Sequence, residues 1–372
     1  MRAVITSVGV SLFQNYSSDK PGVINSYYKR IENKRNQDWN KLKDSIQFIR
    51  EEVYRWAKGK EDVSAEIKSI TQLLKEEKTL LHVCLLASDT VTSRLAAEII
   101  KDLFDEQKDI EVSFNENQDV ISGLQVEDHT EFCRTGAHNF ITRVIRIIND
   151  KGVNTIFNIS SGYKSIVPFM TIMANAYDCE IVYIFEESNC LIRIPKVPIQ
   201  IDFSIFRQFY HQIVMLEVGI ENYNKTKGEF FQEFSKLEEK GLVEITGAYA
   251  QLSPIGIIFY ERYKAQIFVF YCTDDVYKTI KSQPNISRII NEKFRNQKER
   301  QNQSKREPKG LHLVYDDGDN GNRIYYFLEQ DVIYIYKTFE NEEAARKYIQ
   351  VKFDKEKIKR ESTKREWGLS HV

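Results

Sequence analysis

No Cys-x-x-Cys pair occurs in this chain, and its five cysteines, at 84, 133, 179, 190 and 272, are odd in number. That pattern excludes a zinc ribbon and argues against a disulfide framework; it reads as a reduced, cytoplasmic protein without a metal site. Cys84 and Cys179 fall in or beside apolar runs, where a buried thiol is ordinary. No apolar run approaches transmembrane length, and Met1-Arg2 leads into a short strand rather than a secretory signal. A soluble chain with no membrane partner is expected. Gly-x-Gly-x-x-Gly is also missing, so a nicotinamide enzyme is not supported.

What is present is enough apolar residue, 42% of 372, for packed cores in two or three domains. The net charge of −1 hides an asymmetry. Residues 293–309 hold seven Lys/Arg against Glu299 and Glu307; residues 352–366 hold seven against Asp354, Glu356, Glu361 and Glu366. The last hundred residues are thus locally basic, as an RNA partner would require, although a solvated helix face gives the same pattern.

Residues 1–200 alternate strand and helix. Strands are expected at 3–6, 80–87, 110–114, 153–159 and 180–186, with helices at 90–104, 131–149 and 165–177. This is the pattern of an α/β, Rossmann-like parallel sheet. Two loops stand out: Thr6-Ser7-Val8-Gly9-Val10-Ser11 after the first strand, and Asn158-Ile159-Ser160-Ser161-Gly162-Tyr163-Lys164 after the fourth. Each reads as strand, small polar turn, helix, a place where backbone N–H groups and helix dipoles favour an anion. Neither carries an acidic residue, so the pair predicts a phosphodiester pocket. The long insertion at 24–78 repeats Leu42, Ile46, Ile49, Val53 and Trp56 at helical spacing, to pack on the sheet or form a dimer arm.

Pro195 and Pro198 mark an exit. Residues 201–264 read as helices, then Leu242-Val243-Glu244-Ile245, a turn and Gln251-Leu252-Ser253, in the order of a winged helix. Lys225 and Lys227 are offset by Glu229, Glu233, Glu238 and Glu239, which favours a linker or dimerisation element over a DNA reader. Residues 265–372 read as a small α+β domain: a strand at 266–271, helix to 300, a basic hinge at 301–309, an antiparallel meander from 311 to 336, and a closing helix at 341–361.

The first domain resembles the CARF domains of CRISPR-associated effectors. The resemblance rests on Thr6 to Leu12, Ser88-Asp89-Thr90, Asn158 to Lys164 and Ile181 to Glu186. It implies a cytoplasmic homodimer that binds a cyclic oligoadenylate, foremost cyclic tetra-adenylate, as activator and needs no cofactor. The implied ligand residues are Thr6, Ser7, Gly9, Ser11, Asp89, Asn158, Ser160, Ser161, Gly162, Tyr163 and Lys164. The last domain is similar to RelE-type mRNA interferases through Asn322 to Tyr326 and Asp331 to Lys337. That similarity implies cleavage of mRNA on the ribosome, with Arg323, Lys305, Arg306, Lys309 and Lys337 about the phosphate and Tyr348 nearest the family's terminal tyrosine. His312 titrates near neutrality and is a candidate acid or base.

Three alternatives stay open: a transcriptional regulator using its winged helix, a HEPN-like ribonuclease using Arg306–His312 or Arg365–His371, and a ring nuclease acting on the activator itself. The HEPN pattern needs a helical bundle, and Pro308-Lys309-Gly310 breaks helices.

Overall fold

The computed structural model describes residues 2–125, 129–151, 154–185, 190–197, 201–307, 312–318, 321–330 and 332–368. The chain divides into two compact units, Met1–Tyr260 and Glu261–Val372.

The first unit is built on a sheet of seven strands: β1 Arg2–Val8, β2 Leu81–Ser88, β3 Ile110–Ser113, β4 Val120–Ile121, β5 Thr155–Asn158, β6 Glu180–Ile184 and β7 Leu191–Ile194. The order is β3-β2-β1-β5-β6-β7, with β4 beside the end of β2; all pairs are parallel except β6–β7. Ala3, Val4 and Ile5 are all buried, so both faces of the central strand are covered, as a parallel sheet demands. The chain leaves β1 toward β2 and β3, then returns to place β5 on the other side. That reversal makes β1/β5 the switch point at which open α/β sheets bind ligands.

The insertion forms helices Asn25–Ile31, Lys43–Ala57 and Ala65–Glu76. Ile46, Ile49 and Val53 join the sheet's main core, with Leu42 and Trp56 packed against it. Each fully buried branched side chain contributes about 1.5–3 kcal/mol. These residues pack on the sheet unit, the first of the two roles their spacing allowed. Ser64 caps the third helix by accepting from the Ile67 N–H.

Helices Ser204–Gln208, Tyr210–Val218, Tyr223–Glu229 and Phe231–Glu239 follow, then a hairpin of β8 Val243–Thr246 and β9 Tyr249–Leu252. Ile220 bridges to Ala250 beside it. Lys227 is held by Glu238 at 2.6 Å, so one of the few cations of these helices is already paired.

The second unit has six strands: β10 Phe268–Cys272, β11 Ser304–Arg306, β12 Leu313–Asp316, β13 Arg323–Glu329, β14 Val332–Phe339 and β15 Thr363–Trp367, in the order β11-β12-β13-β14-β10-β15. The meander expected from sequence is β12-β13-β14. Three local expectations are corrected. The basic stretch read as a hinge contains the edge strand β11. The closing helix is two helices, Glu342–Tyr348 and Lys355–Glu361. Beyond them β15 pairs antiparallel with β10 and buries Trp367. No helix among the described residues is long and apolar enough to cross a membrane.

Candidate functional site

The two polar loops meet at the carboxyl ends of β1 and β5. Ser7 Oγ donates to the Ser161 carbonyl at 2.8 Å, and Ser161 Oγ returns a bond to the Ser7 carbonyl at 2.9 Å. Gly162 has φ +92° and lies so close that a Cβ there would stand 2.0 Å from Ser7 Oγ. A Cβ on Gly9 would come within 3.3 Å of the Gly162 backbone. Gly162 is therefore needed for the loop-to-loop approach, and a side chain at Gly9 would crowd it.

Thr6 and Asn158 lie beneath the loops, not in their mouth, and both are fully buried. Asn158 Nδ2 donates to Ser69 Oγ at 2.7 Å and Thr6 Oγ1 at 3.3 Å, while its Oδ1 accepts from the Ser160 N–H and hydroxyl. Ser160 Oγ in turn accepts from the Ile184 N–H at 2.9 Å. These residues hold the loop and leave Lys164 exposed at its outer edge, with Gly162 and Tyr163 half-buried. Burial raises the Tyr163 phenol above its ordinary value. Asp89, after β2, accepts the Gly123 N–H at 3.0 Å.

One residue that sequence reasoning missed changes the electrostatics. Glu66, from the insertion, is 1% exposed. Its carboxylate accepts the Gly9 N–H at 2.8 Å and the Ser11 hydroxyl at 3.1 Å. It thus occupies the positive pole of helix Ser11–Asp19 with the chain's own anion. The first loop was expected to offer free N–H groups; the Gly9 N–H is taken by Glu66, and that expectation is corrected. The signal was weak: an acid in the first turn of a helix normally serves that helix's own N-terminus.

In the second unit the register puts Lys305, Val314 and Tyr325 in one row, with Lys337 opposite Tyr325 and Arg323 opposite Asp316. Lys305, His312, Arg323 and Lys337 accordingly share one face of the sheet. Arg306 alternates to the other face. Asp316 joins Arg323 at 3.0 Å and Lys305 at 3.3 Å. Lys305 and Lys337 are exposed, and Arg323 is half-buried. Lys309 lies outside the described residues.

His312 is fully buried, with Nδ1 2.8 Å from Tyr336 Oη and Nε2 2.7 Å from the Val351 carbonyl. The rings of Tyr325, Tyr336, Tyr348 and Phe353 surround it. With no exposure and both nitrogens engaged, it is built as a packing residue; the acid–base expectation finds no geometry here. Burial raises the Tyr348 phenol as well. Arg306 and Arg365 both lie on strands, β11 and β15, which removes the helical setting that the HEPN pattern requires; His371 lies outside the described residues. No group of three or more His, Cys, Asp or Glu among the described residues is placed to hold a metal.

Open α/β sheets bind ligands at the point where the strand order reverses, and the two joined polar loops stand at that point here. Residues 61–197 match the profile of a family described as CRISPR-associated protein (Cas_APE2256). Among solved structures the chain is similar to Can2 from Sulfobacillus thermosulfidooxidans in complex with cyclic tetra-adenylate, at 11% identity over 69% of this chain and 70% of that one. The TM-score is 0.20, a likeness too distant to carry an argument.

Proposed function

We propose that this protein is an accessory effector of a type III CRISPR system. Its first unit binds a cyclic oligoadenylate, foremost cyclic tetra-adenylate, as a homodimer, and its second unit cleaves mRNA on the ribosome. The observation that carries the reading is the union of the Ser7–Gly9 and Ser160–Lys164 loops at the β1/β5 switch point, within a chain whose residues 61–197 match a CRISPR-associated family. With Glu66 filling the first pole, Lys164 and the outer edge of the second loop supply the phosphodiester contact. Gly9 and Ser11 form the opposite wall.

Cleavage by the 2′-hydroxyl of RNA needs stabilisation of a pentacovalent phosphorane. The Arg323 guanidinium is the planar, always charged group suited to it, with Lys305 and Lys337 on the same sheet face. A phosphate there would compete with Asp316 for Arg323 and Lys305. Activation requires the nucleotide to bind the active state more tightly than the resting one.

The experiment pairs calorimetry with RNA end mapping. Cyclic tetra-adenylate should bind with one ring per two chains, and translating ribosomes given protein and ring should show new mRNA ends that protein alone does not produce. Binding without new ends rejects the ribonuclease half; no binding rejects the sensing half.

A further inference from the structure

The helix from His129 to Lys151 is irregular. Between His129–Glu131 and Ala137–Lys151 lies one π turn, Phe132–Gly136, in which the Ala137 N–H reaches back to the Phe132 carbonyl. Such a turn holds one residue more than an α turn and is frequent at functional positions. Its residues point to three places. The Phe132 ring lies 6.1 Å from that of Tyr163 in the second loop. Gly136 abuts Gly123, whose carbonyl would stand 2.3 Å from a Cβ at 136, and the Gly123 N–H is the donor to Asp89. Arg134 reaches β9: its guanidinium lies 4.4 Å from the centre of the Tyr249 ring, and its carbonyl accepts from the Gln251 side-chain amide at 3.2 Å.

We propose that this π turn couples the ligand loops to the helix–hairpin module of residues 204–252, with Arg134 as the transmitting contact. The proposal rests on the nucleotide-sensing reading. It gives that module a role which its unremarkable charge leaves unexplained. The two states are the π turn and a regular α turn. Relaxing one into the other changes the helical phase by about 100°, so Phe132 and Arg134 cannot both keep their partners. A ligand that contacts Tyr163 or displaces Asp89 interacts differently with the two states and shifts their populations. Arg134 is a positioning residue, since its contacts are with β9 and not with the loops.

Hydrogen exchange of the full chain tests this in two arms. Without ligand, Arg134→Ala and Tyr249→Leu should each speed exchange across residues 160–166 by about five-fold or more, the lower end of usual coupling. Arg134→Lys, which keeps a cation over the ring, should restore the wild-type rate. With saturating cyclic tetra-adenylate, residues 243–252 should change exchange in the wild type, while Arg134→Ala should bind the ring and leave 243–252 unmoved. Unaltered exchange at 160–166 in both ligand-free variants overturns the coupling, whatever the protein binds. A hairpin response that survives in Arg134→Ala overturns it too. Failure of the wild type to bind the ring strikes the sensing reading alone, because the ligand-free arm still decides the coupling.

Discussion

Removing the Glu66 carboxylate should separate two contributions to the first loop. In Glu66→Ala the Gly9 N–H and the Ser11 hydroxyl lose their acceptor in a buried site. Hydrogen bonds to a charged group contribute about 1.5–3 kcal/mol each, and a carboxylate at a helix N-terminus a further ~0.3–1 kcal/mol. Relief of the carboxylate's own desolvation offsets part of that sum. A net loss of about 3 kcal/mol follows. Glu66→Gln keeps the shape and one acceptor for Gly9 and loses the charge, for about 1.5 kcal/mol. A unit of this size shifts by about 2–4 °C per kcal/mol. Scanning calorimetry of the full chain should therefore show the first unit melting ~6–12 °C lower for alanine and ~3–6 °C lower for glutamine. The second unit's transition should not move. A glutamine variant as stable as the wild type, or more so, would refute the claim that a carboxylate is favoured at this pole.

Four further outcomes follow from the geometry. Lys164→Ala should weaken cyclic tetra-adenylate binding about ten-fold, the loss of one charge-assisted contact of ~1.5 kcal/mol; unchanged affinity by calorimetry would remove the second loop from the site. Gly162→Val should fail at the level of folding, because its Cβ meets Ser7 Oγ at 2.0 Å with φ at +92°; melting at the wild-type temperature would contradict that packing. Arg323→Ala should cut RNA cleavage by about 10²-fold with the unit still folded, whereas His312→Ala should cost the second unit about 3 kcal/mol through a cavity and two orphaned partners, read by its melting transition; the reverse result would restore His312 to catalysis. Burial raises the Glu180 carboxyl, but hydrogen bonds and charge from Arg2 and Arg193 outweigh it and hold the group below its ordinary 4.5. A depressed carboxyl stabilises the fold above its unfolded pKa and loses that contribution as pH falls through the folded value. Arg193→Ala should thus destabilise at neutral pH and progressively less below pH 4.5; a pH-independent difference would mean the pair acts by packing.

Much of the first unit was legible because buried parallel strands are written as continuous apolar runs, and Ala3-Val4-Ile5 or Ile181-Val182 have few other uses. The second unit hid more. β11 is Ser304-Lys305-Arg306, and charge on an edge strand, which guards it against stray pairing, conceals it as a hinge. β15 carries Lys364, Arg365 and Glu366, charges that give no strand signal beyond the expected helix end at 361. The closing helix breaks because the Val351 carbonyl is taken by His312 at 2.7 Å while Asp354 caps the second segment through the Lys357 N–H. The first contact has no local signature; the second is a local N-cap that the surrounding run of charges obscured. The same holds at the site: the loops were visible as small polar turns, but Glu66 and Arg134 act across the fold, and spacing along the chain does not reveal such partners.

The serine stitch between Ser7 and Ser161 also has a kinetic meaning. It closes a loop with a sequence separation of 154 residues, and β1 precedes both of its sheet neighbours in the chain. The middle of the sheet is therefore completed by contacts of high order, which fold slowly because loop entropy is lost before pairing repays it. Until β5 arrives, β1 and β2 present an apolar edge with unpaired N–H and C=O groups, a template for pairing between molecules. Refolding of this unit should be slow and sensitive to protein concentration, with the Ser160–Lys164 loop among the last parts to be fastened.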